Sequence, residues 1–155
     1  MEQLFEQFTK LNDSSVIINK IAEEIVADIC KDLDTTIQQI RQILVEDTLT
    51  NSELEDAVIQ LPLKIYAITT QQEFLGLKDD LAAVKVKEQY NKIYLETQGK
   101  SADKTVIAQQ GTLQQSIISS ITSRCYKIVK QKIDAAYEVL NSIKKIINMR
   151  VQEME

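Results

Sequence analysis

The sequence has no histidine, no tryptophan, one proline and three glycines among 155 residues. Without histidine there can be no Ser-His-Asp triad, no Cys-His dyad and no His-ligated metal site. A β-sandwich or barrel needs turn residues roughly every 8–12 positions, so the shortage of glycine and proline excludes both. Cysteine is scarce as well. Cys30 and Cys125 lie far apart, form no CxxC pair and sit among isoleucines, which reads as two buried free thiols in a reducing compartment. No uncharged apolar run approaches the roughly 18 residues that would suggest a membrane span. The first ten residues, MEQLFEQFTK, are acidic and lack the apolar stretch of a signal peptide. The expectation is a soluble cytoplasmic protein. P-loop, GxGxxG, GxSxG, HExxH and EF-hand patterns are all missing. The carboxylate pairs Glu23–Glu24, Asp32–Asp34 and Asp79–Asp80 suit polar helix faces, where they solubilise rather than trade protons. Neither an enzyme, a cofactor nor a metal is expected.

What is present is charge of uneven sign and long helical periodicity. Residues 1–60 hold four Lys/Arg against thirteen Asp/Glu, and residues 61–155 hold fourteen against ten. The net charge of −5 therefore averages an acidic half and a mildly basic half. A basic stretch attracts polyanions, and an acidic one attracts basic protein surfaces. The same polarity would help neighbouring chains pack head to tail.

The spacing predicts a short amphipathic helix over residues 2–10 and a cap at Asn12-Asp13-Ser14-Ser15. A long helix follows, with Ile18, Ile21, Ile25, Ile29, Leu33, Ile37, Ile40 and Leu44 as one stripe. Thr50-Asn51-Ser52 caps the next helix, with Glu53 and Glu55 in its first turn, where the helix dipole favours carboxylates. That helix should stop near Pro62, and a new one should run from Leu63 to Gln98. Its apolar set is Ile65, Ile68, Leu75, Leu77, Leu81, Val84, Tyr90, Ile93 and Tyr94; Gly76 weakens it, and Gly99 ends it. Ser101 caps a short helix that Gly111 interrupts. The last helix runs from Thr112 to Met154, with Val129, Ile133, Ala136, Leu140, Ile143 and Ile147 in steps of four and three.

A second row, Ile118, Ile121, Cys125, Ile128, Ala135, Val139 and Ile146, lies on the adjacent face. Two rows are wider than a coiled-coil seam and indicate a bundle helix that also contacts another chain. The fold expected is all-α: long antiparallel helices in a bundle, with residues 1–50 as an acidic segment and 51–155 as the bundle. Helices of about 30–40 residues, or roughly 45–60 Å, exceed what a compact monomer of this size buries. A homo-oligomer joined through the Val129–Ile147 stripe is the expectation.

Two basic groupings stand out. Lys85 and Lys92 share a helix face, with Lys87 displaced and Tyr90 and Tyr94 interleaved. Lysines contact phosphates, and tyrosines stack on unpaired bases. Arg124, Lys127 and Lys130 follow in steps of three and form a second candidate phosphate track. A ring of identical chains would repeat either track and gain avidity.

Three segments carry a family resemblance: LPLKIYAITTQQEFLGLKDDL from Leu61, EQYNKIYLETQGKSADKTV from Glu88 and LNSIKKIINMRVQEM from Leu140. A proline-led helix, a charged helix ending in Tyr and then Gly-Lys, and an Ile-rich final helix before Met-Arg together resemble the tailed-phage recombination mediators (UvsY-like). The likeness spans about residues 58–154 and extends to other small helical phage replication and recombination proteins. It implies an oligomer that binds single-stranded DNA and loads a RecA-like recombinase onto strands coated by a single-strand-binding protein, in a phage-infected bacterial cell. Lys92 and Lys87 would match that family's basic helix, and Ile133 to Met149 its oligomerisation element. Two other roles fit the same sequence: an adaptor or inhibitor acting through the acidic N-terminal helix, and a purely structural helical oligomer.

Overall fold

A computed structural model describes residues 2–45 and 50–153, with side chains from Ser14 onward. Four helices account for nearly all of it: α1 (Glu2–Val45), α2 (Asn51–Glu96), α3 (Ser101–Gly111) and α4 (Leu113–Glu153). The described residues contain no strand, so the all-α expectation holds. None of these helices is long and apolar enough to cross a membrane.

The helix ends follow local chemistry in some places and override it in others. Thr50 closes a reciprocal capping box. Its backbone N–H and hydroxyl both donate to Glu53 Oε2, at 2.8 and 2.7 Å, and its Oγ1 accepts from the Glu53 N–H at 3.3 Å. Gly99 takes a φ of +126° just beyond α2, a conformation open to glycine at little cost. Three expected boundaries move. The Asn12–Ser15 run lies inside α1; the Asn12 and Asp13 side chains fall outside the described residues. Ser, Asn and Asp each lower helix propensity by well under about 1 kcal/mol, too little to end a helix anchored further along. Pro62 lies inside α2, which runs through it unbroken. The lost backbone bond and ring crowding cost about 3 kcal/mol, but Leu54, Leu61 and Ile65 on either side are buried and hold the helix together. Ser101 is the first residue of α3 rather than its cap: Lys100 occupies that position with no side-chain bond, and the Ser101 hydroxyl pairs with Tyr94 Oη at 2.9 Å.

The chain clusters into two compact units. The first comprises residues 1–25 and 74–127, the second residues 26–73 and 128–155. The unit boundaries thus fall within α1, α2 and α4 rather than at the charge boundary near residue 50.

The second unit is a three-helix bundle. Its core is Val26, Cys30, Leu33 and Ile40 of α1, Leu54, Ala57, Leu61, Ile65 and Ile68 of α2, and Val129, Ile133, Ala136, Leu140 and Ile143 of α4. Steps of three and four on all three segments keep one face of each turned inward. α2 returns antiparallel to α1, as the short link between them demands, and Lys64 meets Asp32 across the pair at 3.5 Å. α4 runs antiparallel to α2, with Arg150 Nη1 donating to Asn51 Oδ1 at 3.1 Å and Glu55 beside Ile147. Lys132 Nζ donates to both oxygens of Asp34, at 2.7 and 2.6 Å.

The first unit is built differently. Its buried apolar residues are Ala22, Leu75, Ala108 and Cys125. Small side chains let backbones approach: Cys125 Sγ donates to the Ala22 carbonyl at 3.8 Å. α3 folds back on α2, and Gln89 Nε2 donates to the Gly111 carbonyl at 3.0 Å. A Cβ on Gly111 would sit 2.5 Å from Ile93 Cδ1, which explains glycine at that close approach.

The isoleucine stripe on α1 needs correcting. The buried line is Ala22, Val26, Cys30, Leu33 and Ile40, while Ile21, Ile25 and Leu44 are exposed. The inward face is rotated by about one residue from the row of largest side chains, because Ala22 and Cys30 permit the closest helix contacts. On α2, Ile65, Ile68 and Leu75 are buried as expected, but Leu77, Leu81 and Val84 are exposed.

Candidate functional site

The described residues contain no group of His, Cys, Asp or Glu side chains able to hold a metal. The thiols of Cys30 and Cys125 are free. Burial pushes both thiol pKa values up; at Cys30 the nearby Lys132 works against this and Asp34 with it. Both thiols therefore stay protonated and poorly nucleophilic at neutral pH.

A groove of about 600 Å³ lies in the first unit. α4 forms one wall with Ser119, Ser120, Ser123, Arg124 and Lys127. α1 contributes Asn19, and α2 contributes Asp79. Neither Arg124 nor Lys127 has an ion-pair partner among the described residues. The Nε–H of Arg124 is buried and donates to no acceptor among the described residues.

The sequence-predicted cations separate. Arg124 and Lys127 share the groove. Lys85, Lys87 and Lys92 are exposed on α2 in the first unit, outside the groove lining, and free of ion pairs among the described residues. Lys130 is exposed on α4 and belongs to the second unit. The interleaved tyrosines are already engaged. Tyr90 and Tyr94 stack on each other with ring centroids 6.1 Å apart, and Lys104 Nζ lies 5.7 Å from the Tyr94 ring. Both rings are half-buried, and their mutual stacking occupies one face of each, which leaves less ring surface for a base.

The expected oligomerisation stripe is likewise occupied. Val129, Ile133, Ala136, Leu140 and Ile143 are buried inside the second unit of a single chain, and Ile147 is half-buried. The physical reason is the pair of facing stripes on α1 and α2, which cover this face before another chain could. The apolar surface still open to a second chain lies mostly elsewhere, in the first unit: Val16, Ile17, Leu77, Leu81, Leu113 and Ile117 are all exposed.

The serines of the groove were not singled out from sequence, although a signal exists. Ser116, Ser119, Ser120 and Ser123 recur at steps of three and four on a helix that serine does not favour. A row of that kind marks either close packing or a polar wall. No protein family, curated protein or solved structure matches this chain.

Proposed function

We propose that the chain is a non-catalytic accessory protein of DNA recombination, of the phage mediator type. It binds single-stranded DNA through the cations of the first unit, associates with copies of itself and delivers the strand to a RecA-like recombinase. The observation that carries this reading is the way the cations are used. In the second unit two of the eight cations, Lys64 and Lys132, are paired with Asp32 and Asp34. In the first unit Lys85, Lys87, Lys92, Arg124 and Lys127 have no carboxylate partner among the described residues, so they can release counterions to a phosphate backbone without first breaking an ion pair. The distribution of charge agrees. The first unit carries ten basic and ten acidic residues, the second eight and thirteen. All of the net −5 therefore sits in the second unit, and an acidic chain overall still presents a neutral region that a polyanion can approach.

Fluorescence anisotropy with a labelled single-stranded oligonucleotide at two salt concentrations tests the reading, with light scattering on the same sample. Binding by a defined oligomer that weakens steeply with salt is the expected result. A folded protein that binds no strand at low salt would remove it. A second reading, a protein-binding adaptor, then takes its place. It is favoured by the exposed apolar side chains of the first unit, including Phe74, Leu77 and Leu81, because patches of this kind commonly mark protein contact sites.

A further inference from the structure

We infer that the groove of the first unit is the seat of a phosphate group, held by Arg124, Lys127 and the serine hydroxyls of α4. This deepens the single-strand reading and rests on its premise that the ligand is a polyanion. Four observations converge. The Arg124 guanidinium belongs to a residue that lines the groove and has no carboxylate partner among the described residues, its buried Nε included. Its planar fork of N–H donors matches the geometry of phosphate oxygens, and Lys127 adds a second, compact charge one turn along the same helix. The serine hydroxyls beside them are unspent. Elsewhere on α4, Thr122 and Ser142 donate to the carbonyls of Ile118 and Glu138, four residues back, at 2.9 Å. Ser119, Ser120 and Ser123 make no such bond among the described residues, so their hydroxyls are free to turn towards a ligand. Finally, a groove of about 600 Å³ exceeds a bare phosphate and has room for an attached nucleoside.

Asp79 sets the polarity of the site. It is the carboxylate among the lining residues, and its charge disfavours an anion on the α2 side of the groove. The phosphate can come from the backbone of a bound strand or from a free nucleotide. Both present the same oxygens.

The test compares four full-length proteins: wild type, Arg124→Gln with Lys127→Gln, Ser120→Glu, and Lys85→Gln with Lys87→Gln and Lys92→Gln. Ser120 is exposed, so its carboxylate variant challenges the groove without disturbing the core. Each is titrated with a labelled oligonucleotide by anisotropy. Each is also titrated with a nucleoside monophosphate and with inorganic phosphate by amide chemical-shift mapping. Both groove variants should weaken the oligonucleotide at least 10-fold. In wild type, both phosphate probes should shift the amides of Ser119, Ser120 and Ser123, and the groove variants should lose those shifts. If wild type binds the oligonucleotide and both groove variants bind it equally well, the phosphate seat is overturned while the DNA reading stands. If wild type ignores the oligonucleotide but the monophosphate shifts the groove amides, the seat stands and the DNA reading falls. No response to any of the three ligands overturns both.

Discussion

The second unit of this protein is a finished core, and the first is not. Of the eighteen buried apolar residues described, fourteen lie in the second unit, many of them full-sized Leu, Ile or Val. The first unit buries Ala22, Leu75, Ala108 and Cys125 and leaves large side chains such as Phe74, Leu95 and Leu113 exposed. The charges differ in the same sense. Lys64, Lys132 and Arg150 of the second unit are engaged by Asp32, Asp34 and Asn51, whereas Arg124 and Lys127 of the first line a groove. The contrast teaches a division of labour. Burying a large aliphatic side chain contributes about 1.5–3 kcal/mol, so stability resides mainly where such residues are covered. Surface that is open and polar enough to recognise a ligand resides where they are not.

The strongest way to break this comparison is to truncate one large side chain in each unit. Leu61→Ala in the second unit should lower stability by about 2–5 kcal/mol, because Leu61 is fully buried. Leu81→Ala in the first, where the side chain is 53 % exposed, should cost about 0.5 kcal/mol or less. Urea denaturation of the two variants measures the difference, and equal losses would end the division. The joint Lys85, Lys87 and Lys92 variant should reduce oligonucleotide affinity by about 10–100-fold and lower the salt slope by up to about 3. Its unfolding midpoint should stay unchanged, because the three side chains are exposed. Anisotropy and thermal unfolding read the two effects separately.

Pro62→Ala should move the second unit the other way. Restoring the missing backbone donor within α2 should raise stability by about 1–2 kcal/mol, less than the full helix-interior penalty because the unfolded chain also gains freedom. Thr50→Ala removes the two hydroxyl bonds of the capping box and should cost about 1 kcal/mol, visible in the same urea experiment. The smallest effect concerns acid. Two hydrogen bonds from Thr50 hold the Glu53 carboxyl below its ordinary range. A depressed folded-state pKa adds stability above the unfolded value and loses it as pH falls through the folded value. The wild-type advantage over Thr50→Ala should therefore shrink as the solution is acidified below the usual carboxylate range, which paired melts across pH will show.

Much of the fold was legible in the sequence. Spacings of three and four over long stretches, with almost no turn residues, leave only helices. The Thr50 cap, the stop at Gly99 and the break at Gly111 follow from single residues whose preferences are local. The core of α4 was legible too, since Val129, Ile133, Ala136, Leu140 and Ile143 form an unambiguous stripe, although what covers it was not. The site was legible only in fragments. Arg124 and Lys127 could be picked out as cations on one strip, but Asn19 and Asp79, which join them in the groove, lie on other helices.

What the sequence by itself determined is therefore the helical character of the chain, most of its helix ends and the polarity of its charge, because these depend on neighbours within a few residues. Tertiary structure decided the rest. It chose Ala22 and Cys30 over the larger isoleucines for the inward face of α1 and carried α2 through Pro62. It also left Arg124 without an acceptor while giving Lys132 the Asp34 carboxylate. Each of these outcomes depends on which side chain another helix brings within a few ångströms, and helix packing rather than local preference sets that distance.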